Sequence, residues 1–430
     1  MVSLLLGGLG LVAGSVWMED RYPSDDPARV LLPRTQRWVT RPIVEALGRG
    51  LQETLRVRGE AKYMKTGLSL DQTISRFLDS RAPLSERRVY AYRLAREGSP
   101  HAAAALLEVL RAAPPGDKAF MAVLIGKTRN PAAKEWLWPL LGDPRQEVVI
   151  GALRGLSLIG GDDVAERVAA ILSGETFPEA VRVEAAIALG TMHTNGSMNA
   201  LAGALDRMPG EEIAKEILSG LGRHDFPQVA VAFDAVIRSP EASETLRTAA
   251  VEALAESSAE AVPYLSDLAA GDASAEIRAS AAWAIAAHGE VGSLGPRLTA
   301  MVEVESEPDV RRRLYEALLV QNELPAGRLL TRIDAEEDPS ARIAGFNALG
   351  RAARLEPASA IARAFDTQVV PELLRTATTA NSTNLQMRAV FALRRAGTPA
   401  ARQALEAVAG QAAPQIATAA RNGLRAPPSR

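Results

Sequence analysis

One eight-residue pattern, Arg-x-x-small-x-x-Ala-Leu, recurs along the chain at intervals of 30 to 33 residues, and that period constrains the fold more than any other feature. It is read at Arg182/Ala185/Ala188/Leu189, Arg247/Ala250/Ala253/Leu254, Arg278/Ala281/Ala284/Ile285, Arg311/Leu314/Ala317/Leu318 and Arg342/Gly345/Ala348/Leu349. With relaxed chemistry the same register takes in Arg88/Ala91/Leu94/Ala95, Lys118/Met121/Leu124/Ile125, Val149/Ala152/Gly155/Leu156 and Ala214/Ile217/Gly220/Leu221. A tenth, less regular unit is read at Arg388/Phe391 after a step of 46, which implies about fourteen inserted residues near Ala352–Asn384.

Each period divides into two amphipathic helices. Near Glu276, Ile277 to Ala287 carries one apolar stripe, His288-Gly289 breaks it, and Leu294, Leu298, Met301 and Val302 mark a second at spacings of three to four. Pro144, Pro178, Pro209, Pro308 and Pro339 stand at or just before the start of first helices, where a missing backbone donor does no harm. Small residues inside the pattern let helices approach closely, and neither helix of a pair can bury its face alone. The expected fold is therefore all-α: an α-solenoid of about ten two-helix repeats over residues 85–411, followed by a C-terminal cap and a disordered tail over 412–430. Composition agrees, with 47% apolar residues but only 4% aromatic ones.

The ends carry other signals. Met1 to Met18 has no charged side chain and stops abruptly at Glu19-Asp20-Arg21, so it reads as a hydrophobic helix that anchors the chain in a membrane, with export after cleavage as the alternative. Arg21, Arg29, Arg34, Arg37 and Arg41 all follow it, which would keep the repeats on the cytoplasmic side. Residues 19–84 read as a juxtamembrane linker and N-terminal capping helices, the latter from Ile43, Val44, Leu47, Leu51 and Leu55.

Charge is unevenly spread. The net charge is +5 over residues 19–100, −13 over 101–380 and +6 over 381–430. The acidic middle, with Glu252, Glu256 and Glu260 in its densest run, would repel a nucleic-acid backbone and attract a basic protein. Arg312, Arg313, Arg394 and Arg395 form the basic clusters able to meet an acidic partner. The absence of Cys excludes disulfides, thiolate metal sites and cysteine nucleophiles. No Ser/His/Asp order, phosphate loop or HExxH motif occurs, so no catalytic, cofactor-binding or metal residue is expected and the chain is read as a non-enzyme. His193 and His224 should stack at adjacent turns; a metal bridging them with Asp225 stands against the plainer reading that histidine suits helix C-termini.

Glu307-Pro308-Asp309-Val310-Arg311, Asp338-Pro339-Ser340-Ala341-Arg342 and Pro178-Glu179-Ala180-Val181-Arg182, each followed by the small-and-Leu pattern, resemble HEAT repeats, in particular the short bacterial repeats of phycobilisome-lyase type. The resemblance implies that Arg182, Arg247, Arg278, Arg311 and Arg342 form a structural ladder with acidic residues between units, broken at Val149 and Ala214. It also implies a protein-binding scaffold or adaptor on an extended surface, here tied to a membrane complex through residues 1–18. The alternatives are an accessory subunit of a bilin-lyase-like enzyme and a DNA-glycosylase-like solenoid.

Overall fold

The computed structural model describes residues 68–425 apart from 208–209, 290–291 and 293; the apolar segment 1–18, the linker to residue 67 and the tail 426–430 lie outside the described residues. Among the described residues there is no strand, and no helix is long and apolar enough to cross a membrane. The chain forms two compact units, one comprising residues up to His224 with Gln228–Val236, the other Asp225–Pro227 with everything from Ile237 onward.

The first unit begins with α1 (Leu70–Leu78), followed by the pair α2 (Leu84–Glu97) and α3 (Pro100–Ala112). Next come α4 (Pro115–Lys127) with a run of short helical turns over 131–142, then α5 (Gln146–Ile159) with α6 (Asp162–Ser173). The unit continues with α7 (Glu179–Met192) and α8 (Asn195–Leu205), then α9 (Glu211–Leu221); the boundary falls within α10 (Phe226–Ile237). The second unit holds α11 (Glu244–Ala253) with α12 (Ala261–Gly271), α13 (Ala275–Ala287) with α14 (Gly295–Val304), and α15 (Pro308–Leu318) with α16 (Ala326–Asp334). After α17 (Pro339–Leu355) come Ala360–Ala364, a π turn at Phe365–Val369 and α18 (Val370–Thr379); α19 (Thr383–Ala396), α20 (Pro399–Gln411) and α21 (Pro414–Arg425) complete it.

Within each unit the leading helices of successive pairs pack side by side: α2 on α4, α4 on α5, α5 on α7 and α7 on α9, then α11 on α13, α13 on α15, α15 on α17 and α17 on α19. Trailing helices form a second layer, as in α6 on α8 and α18 on α20. This is the stacking of an α-solenoid, and it follows from the small residues. A Cβ on Gly155 would lie 2.4 Å from the Ala122 carbonyl oxygen, and one on Gly190 would lie 2.7 Å from the Gly220 Cα, so those backbones touch. Between them, Leu94, Leu124, Leu156, Leu189 and Leu221 in the first unit and Leu254, Ile285, Leu318, Leu349 and Leu393 in the second are 0–1% exposed. Burying each such side chain contributes about 1.5–3 kcal/mol.

The insertion takes the form of a lengthened pair. Helix α17 runs for 17 residues, and its trailing partner contains the π turn. Pro371 cannot donate to the carbonyl four residues earlier, so the regular ladder is interrupted there.

Two registers differ from those expected. In most repeats the ladder position lies four residues beyond the N-cap: Arg247 after Ser243, Arg278 after Ser274, Arg311 after Glu307, Arg342 after Asp338. By the same rule the first repeat uses Arg87 after Pro83, not Arg88, and the tenth places Gln386 after Ser382, not Arg388. Geometry agrees for Arg87, whose Nη1 donates to the Phe77 carbonyl at 2.5 Å, as Arg182 and Arg247 donate to Leu172 and Ile237 ten residues before them. Arg88 instead lies over the Phe120 ring, 4.9 Å from its centroid.

Candidate partner-binding surface

The display of any surface here depends on what holds successive repeats in register. In the second unit the ladder is continuous from Arg247 to Arg342 and ends there, since Gln386 takes the next position. Arg278 grips Glu305 with two bonds (2.8 and 2.9 Å), Arg311 grips Glu336 with two at 2.7 Å, and Arg342 grips Glu372 with two (2.7 and 3.0 Å). Arg247 reaches Asp272 more loosely, at 3.3–3.4 Å. Each guanidinium also donates backward to carbonyls where the preceding trailing helix ends: Arg278 to Asp272, Arg311 to Glu305 and Ser306, Arg342 to Ile333, Asp334 and Glu336. Asp272, Glu305 and Glu336 thus each receive one arginine on the carboxylate and the next on the backbone oxygen. A cation at a helix C-terminus also meets the negative end of the helix dipole.

The ladder thins in the first unit. Arg182 keeps its carbonyl bond to Leu172 at 3.0 Å, but the residue six before Ala214, the place that supplies acid elsewhere, is Met208. At Val149 the acid survives without its arginine. Asp143 turns to Arg145 (2.6 and 2.7 Å), whose side-chain bonds hold its carboxyl down at about 2, with help from the Arg145 amide and the Lys118 charge.

A second ladder, at the other end of the leading helices, has no repeated residue type. Arg223 donates to the Gly190 carbonyl (3.4 Å), Gln321 to Gly289 (3.0 Å) and Arg351 to Leu319 (2.6 Å), while His288 Nε2 lies 2.9 Å from the Leu254 oxygen. Each side chain caps the leading helix of the repeat before it. Because Arg, Gln and His all perform this task, no periodic pattern announced it.

Beside the ladder, the leading helices carry a further row of side chains two, five and nine residues beyond the ladder position; the first of these is mostly buried (Gly151, Glu184, Ser280, Arg313, Ala344), and the exposed members include Arg154, Leu158, Ile187, Glu256 and Phe391. In the first unit Arg154 on α5 forms a two-bond pair with Glu184 on α7 (2.7 and 2.8 Å), next to the 37%-exposed Leu158 and Ile187. In the second unit the row starts acidic and ends basic. Glu252 is buried, 3.4 Å from the Ser280 hydroxyl, so it is not open to a partner; Glu256 and Glu260 are exposed, the latter with its carboxyl held low by the Ser258 hydroxyl.

Arg312 and Arg313 depart from the expected exposed cluster. Each is 8% exposed and bonded to Glu316, at 3.1 and 2.8 Å, and Arg312 also reaches Asp309. The signal was present in the sequence, since Glu316 lies three and four residues along the same helix. Arg388 on α19 joins this group electrostatically; burial pulls its pKa down, while Glu316 opposes that effect. Arg394 is exposed and Arg395 half-buried. Burial, then the charges of Arg351, Arg394 and Arg354, pull the Arg395 pKa down. Phe391, between Arg388 and the Arg394-Arg395 pair on α19, is 46% exposed, and Leu355 beside Arg354 is 53% exposed.

The histidines adopt structural geometry. His193 is the left-handed C-cap of α7, its ring 6.0 Å from that of His224, and His288 caps α13. Among the described residues no group of three His, Cys, Asp or Glu side chains is placed to hold a metal ion. On the trailing side of the first unit, Ala104, Leu107, Ala132 and Trp136 line a surface groove with Glu108 and Arg111.

No protein-family model matches the chain, and no curated protein matches it. Solved structures similar to it include human deoxyhypusine hydroxylase in complex with glycerol, at 17% identity and TM-score 0.28, covering 61% of this chain and 95% of that one. The karyopherin Kap121p bound to the extreme C-terminus of the protein phosphatase Cdc14p aligns at 13% identity and TM-score 0.46, covering 94% of this chain and 49% of that one. Kap95p with RanGDP aligns at 12% identity and TM-score 0.47, covering 91% of this chain and 64% of that one. The chain spans about half the length of the Kap121p chain.

Proposed function

We propose that the chain is a non-enzymatic protein-binding scaffold whose docking surface is the outward row of its leading helices. The observation that carries this reading is the division of labour along those helices. In the second unit one set of positions locks successive repeats through the arginines from Arg247 to Arg342, and in both units a neighbouring set includes exposed or half-buried charged, aromatic and aliphatic side chains such as Arg154, Ile187, Glu256, Arg351 and Phe391. Repeats fixed in register by their neighbours present such a row over several helices at once, which suits an extended partner better than a small ligand. The exposed Glu256 and Glu260 favour a basic partner segment at that end of the second unit. The same reading ties the array to a membrane through residues 1–18, with the repeats on the cytoplasmic side, and rests there on the sequence alone.

The test is affinity purification of the tagged full-length protein from its native membranes in mild detergent, with identification of co-purifying chains. Stoichiometric partners are the expected result. A solitary protein in the soluble fraction would remove both the scaffold and the membrane tie.

A further inference from the structure

The basic end of the second unit's row lies on α17 and α19. Arg351 is already oriented, with Nη1 on the Leu319 carbonyl and Nη2 on Asn322 Oδ1, both at 2.6 Å. Arg395 occupies the equivalent position one repeat on, and the charges acting on it are those of Arg351, Arg394 and Arg354, all of one sign. Arg388, Phe391, Arg394 and Arg395 recur at spacings that share one helix face, and Leu355 follows Arg351 by four residues. The surface thus alternates guanidinium groups with exposed apolar side chains; its α19 half lies within the C-terminal stretch of net charge +6, and Arg351 and Arg354 add two positive charges from α17.

We propose that Arg351, Arg354, Arg394 and Arg395, with Phe391 and Leu355, dock an acidic polypeptide segment that carries an apolar side chain among its carboxylates. This deepens the scaffold reading and rests on it. Three features select that occupant. Like charges gathered on a folded surface are relieved by a ligand of opposite sign, and the planar guanidinium fork matches a carboxylate with two parallel bonds. The exposed ring and leucine offer apolar contact within a helical turn of those forks, which a purely ionic ligand would leave unused. The patch is also short: neighbouring leading helices lie roughly 8–10 Å apart, a gap that about three extended residues cross. A long polyanion such as a nucleic acid would continue into the rest of residues 101–380, a stretch whose net charge is −13 with Arg351 and Arg354 included.

The test is fluorescence anisotropy on the full-length chain with a labelled peptide of about ten residues, Asp and Glu around one central Leu, beside a single-stranded oligonucleotide of similar length. Saturable peptide binding is expected, weakening as salt rises from about 50 to about 200 mM. Joint Arg351→Gln and Arg395→Gln substitution should weaken it at least about tenfold, Phe391→Ser about threefold, and joint Arg421→Gln and Arg425→Gln substitution on α21 should leave it unchanged. Should Arg351→Gln lower the melting temperature by loss of its cap on α15, the joint Arg394→Gln and Arg395→Gln variant decides. Absent peptide binding, equal binding by the variants, or tighter binding of the oligonucleotide would each overturn the proposal. If wild type and the Arg394/Arg395 variant co-purify with the same stoichiometric partners, this docking site falls while the scaffold reading stands; if neither recovers a partner, the scaffold reading itself fails.

Discussion

Replacing Glu336 by glutamine probes the ladder where it is most buried. Glu336 is 2% exposed and Arg311 8%, and two 2.7 Å bonds join them. Glutamine keeps the shape and one acceptor but leaves the guanidinium without its counter-charge. Breaking a buried pair from one side costs about 3–5 kcal/mol. Arg311 keeps its bonds to the Glu305 and Ser306 carbonyls, which offset part of that loss and bring the expected cost to about 2–4 kcal/mol. Substituting both partners with apolar residues, Arg311→Met with Glu336→Leu, removes two desolvation penalties as well as the bonds, so it should cost less than Glu336→Gln alone. The assay is urea unfolding followed by hydrogen exchange in α14–α17, because repeat arrays open locally and a single global midpoint is not well defined for them. The variant should also flatten the acid limb. Burial pushes the Glu336 carboxyl up, but the Arg311 bonds, the Asp338 amide and the charges of Arg311 and Arg332 outweigh it and hold the pKa below the ordinary glutamate value. A depressed carboxylate contributes stability that is complete above the unfolded value of about 4.3 and is lost as pH falls through the folded value. Wild type should therefore lose stability below about pH 4 more steeply than Glu336→Gln. A coupling energy between Arg311 and Glu336 below about 0.5 kcal/mol in the double-mutant cycle would refute the reasoning.

Gly155→Ala should destabilise the first unit by about 1–3 kcal/mol, because its Cβ meets the Ala122 carbonyl at 2.4 Å and that clash outweighs a helix-propensity gain of at most about 1 kcal/mol; a melt at or above wild type would contradict this. Arg87→Gln should lower the melting temperature more than Arg88→Gln, since Arg87 bonds the Phe77 carbonyl while Arg88 only lies over the Phe120 ring; the reverse order would restore the register first read from sequence. Burial lowers the His288 pKa, so its neutral form is favoured in the fold, and stability should be complete above about pH 6.5 and fall as pH drops through the folded value. His288→Gln, which can still donate to Leu254, should lack that step in thermal melts between about pH 7 and about pH 5.

The repeat period was legible because one strongly constrained position carries an arginine that no other residue replaces well: it needs a fork for the carboxylate and further donors for helix-end carbonyls. Where two arginines stand together, as at Arg87-Arg88, or where the ladder is vacated, as at Gln386, spacing alone chose the wrong residue and only the N-cap geometry corrected it. Gly155 and Gly220 read as members of the small-residue pattern and Gly190 stands just outside it, but their role in bringing backbones into contact depends on which helix lies opposite. The surface was less legible. Glu252 and the Arg312-Arg313 pair look like exposed charges in a linear sequence, yet packing buries all three, whereas Arg351, Phe391 and Leu355 gain their significance from positions on adjacent helices that are far apart in the chain.

The most direct measurement of the central claim is site-specific photo-cross-linking in native membranes, with a benzophenone amino acid placed in turn at Phe391 on a leading helix and at Val304, 84% exposed at the end of trailing helix α14. The account predicts a discrete adduct to a partner protein from position 391 and none from position 304. Adducts from position 304 alone, or from neither site while the protein remains folded, would contradict a scaffold that binds through the row of its leading helices.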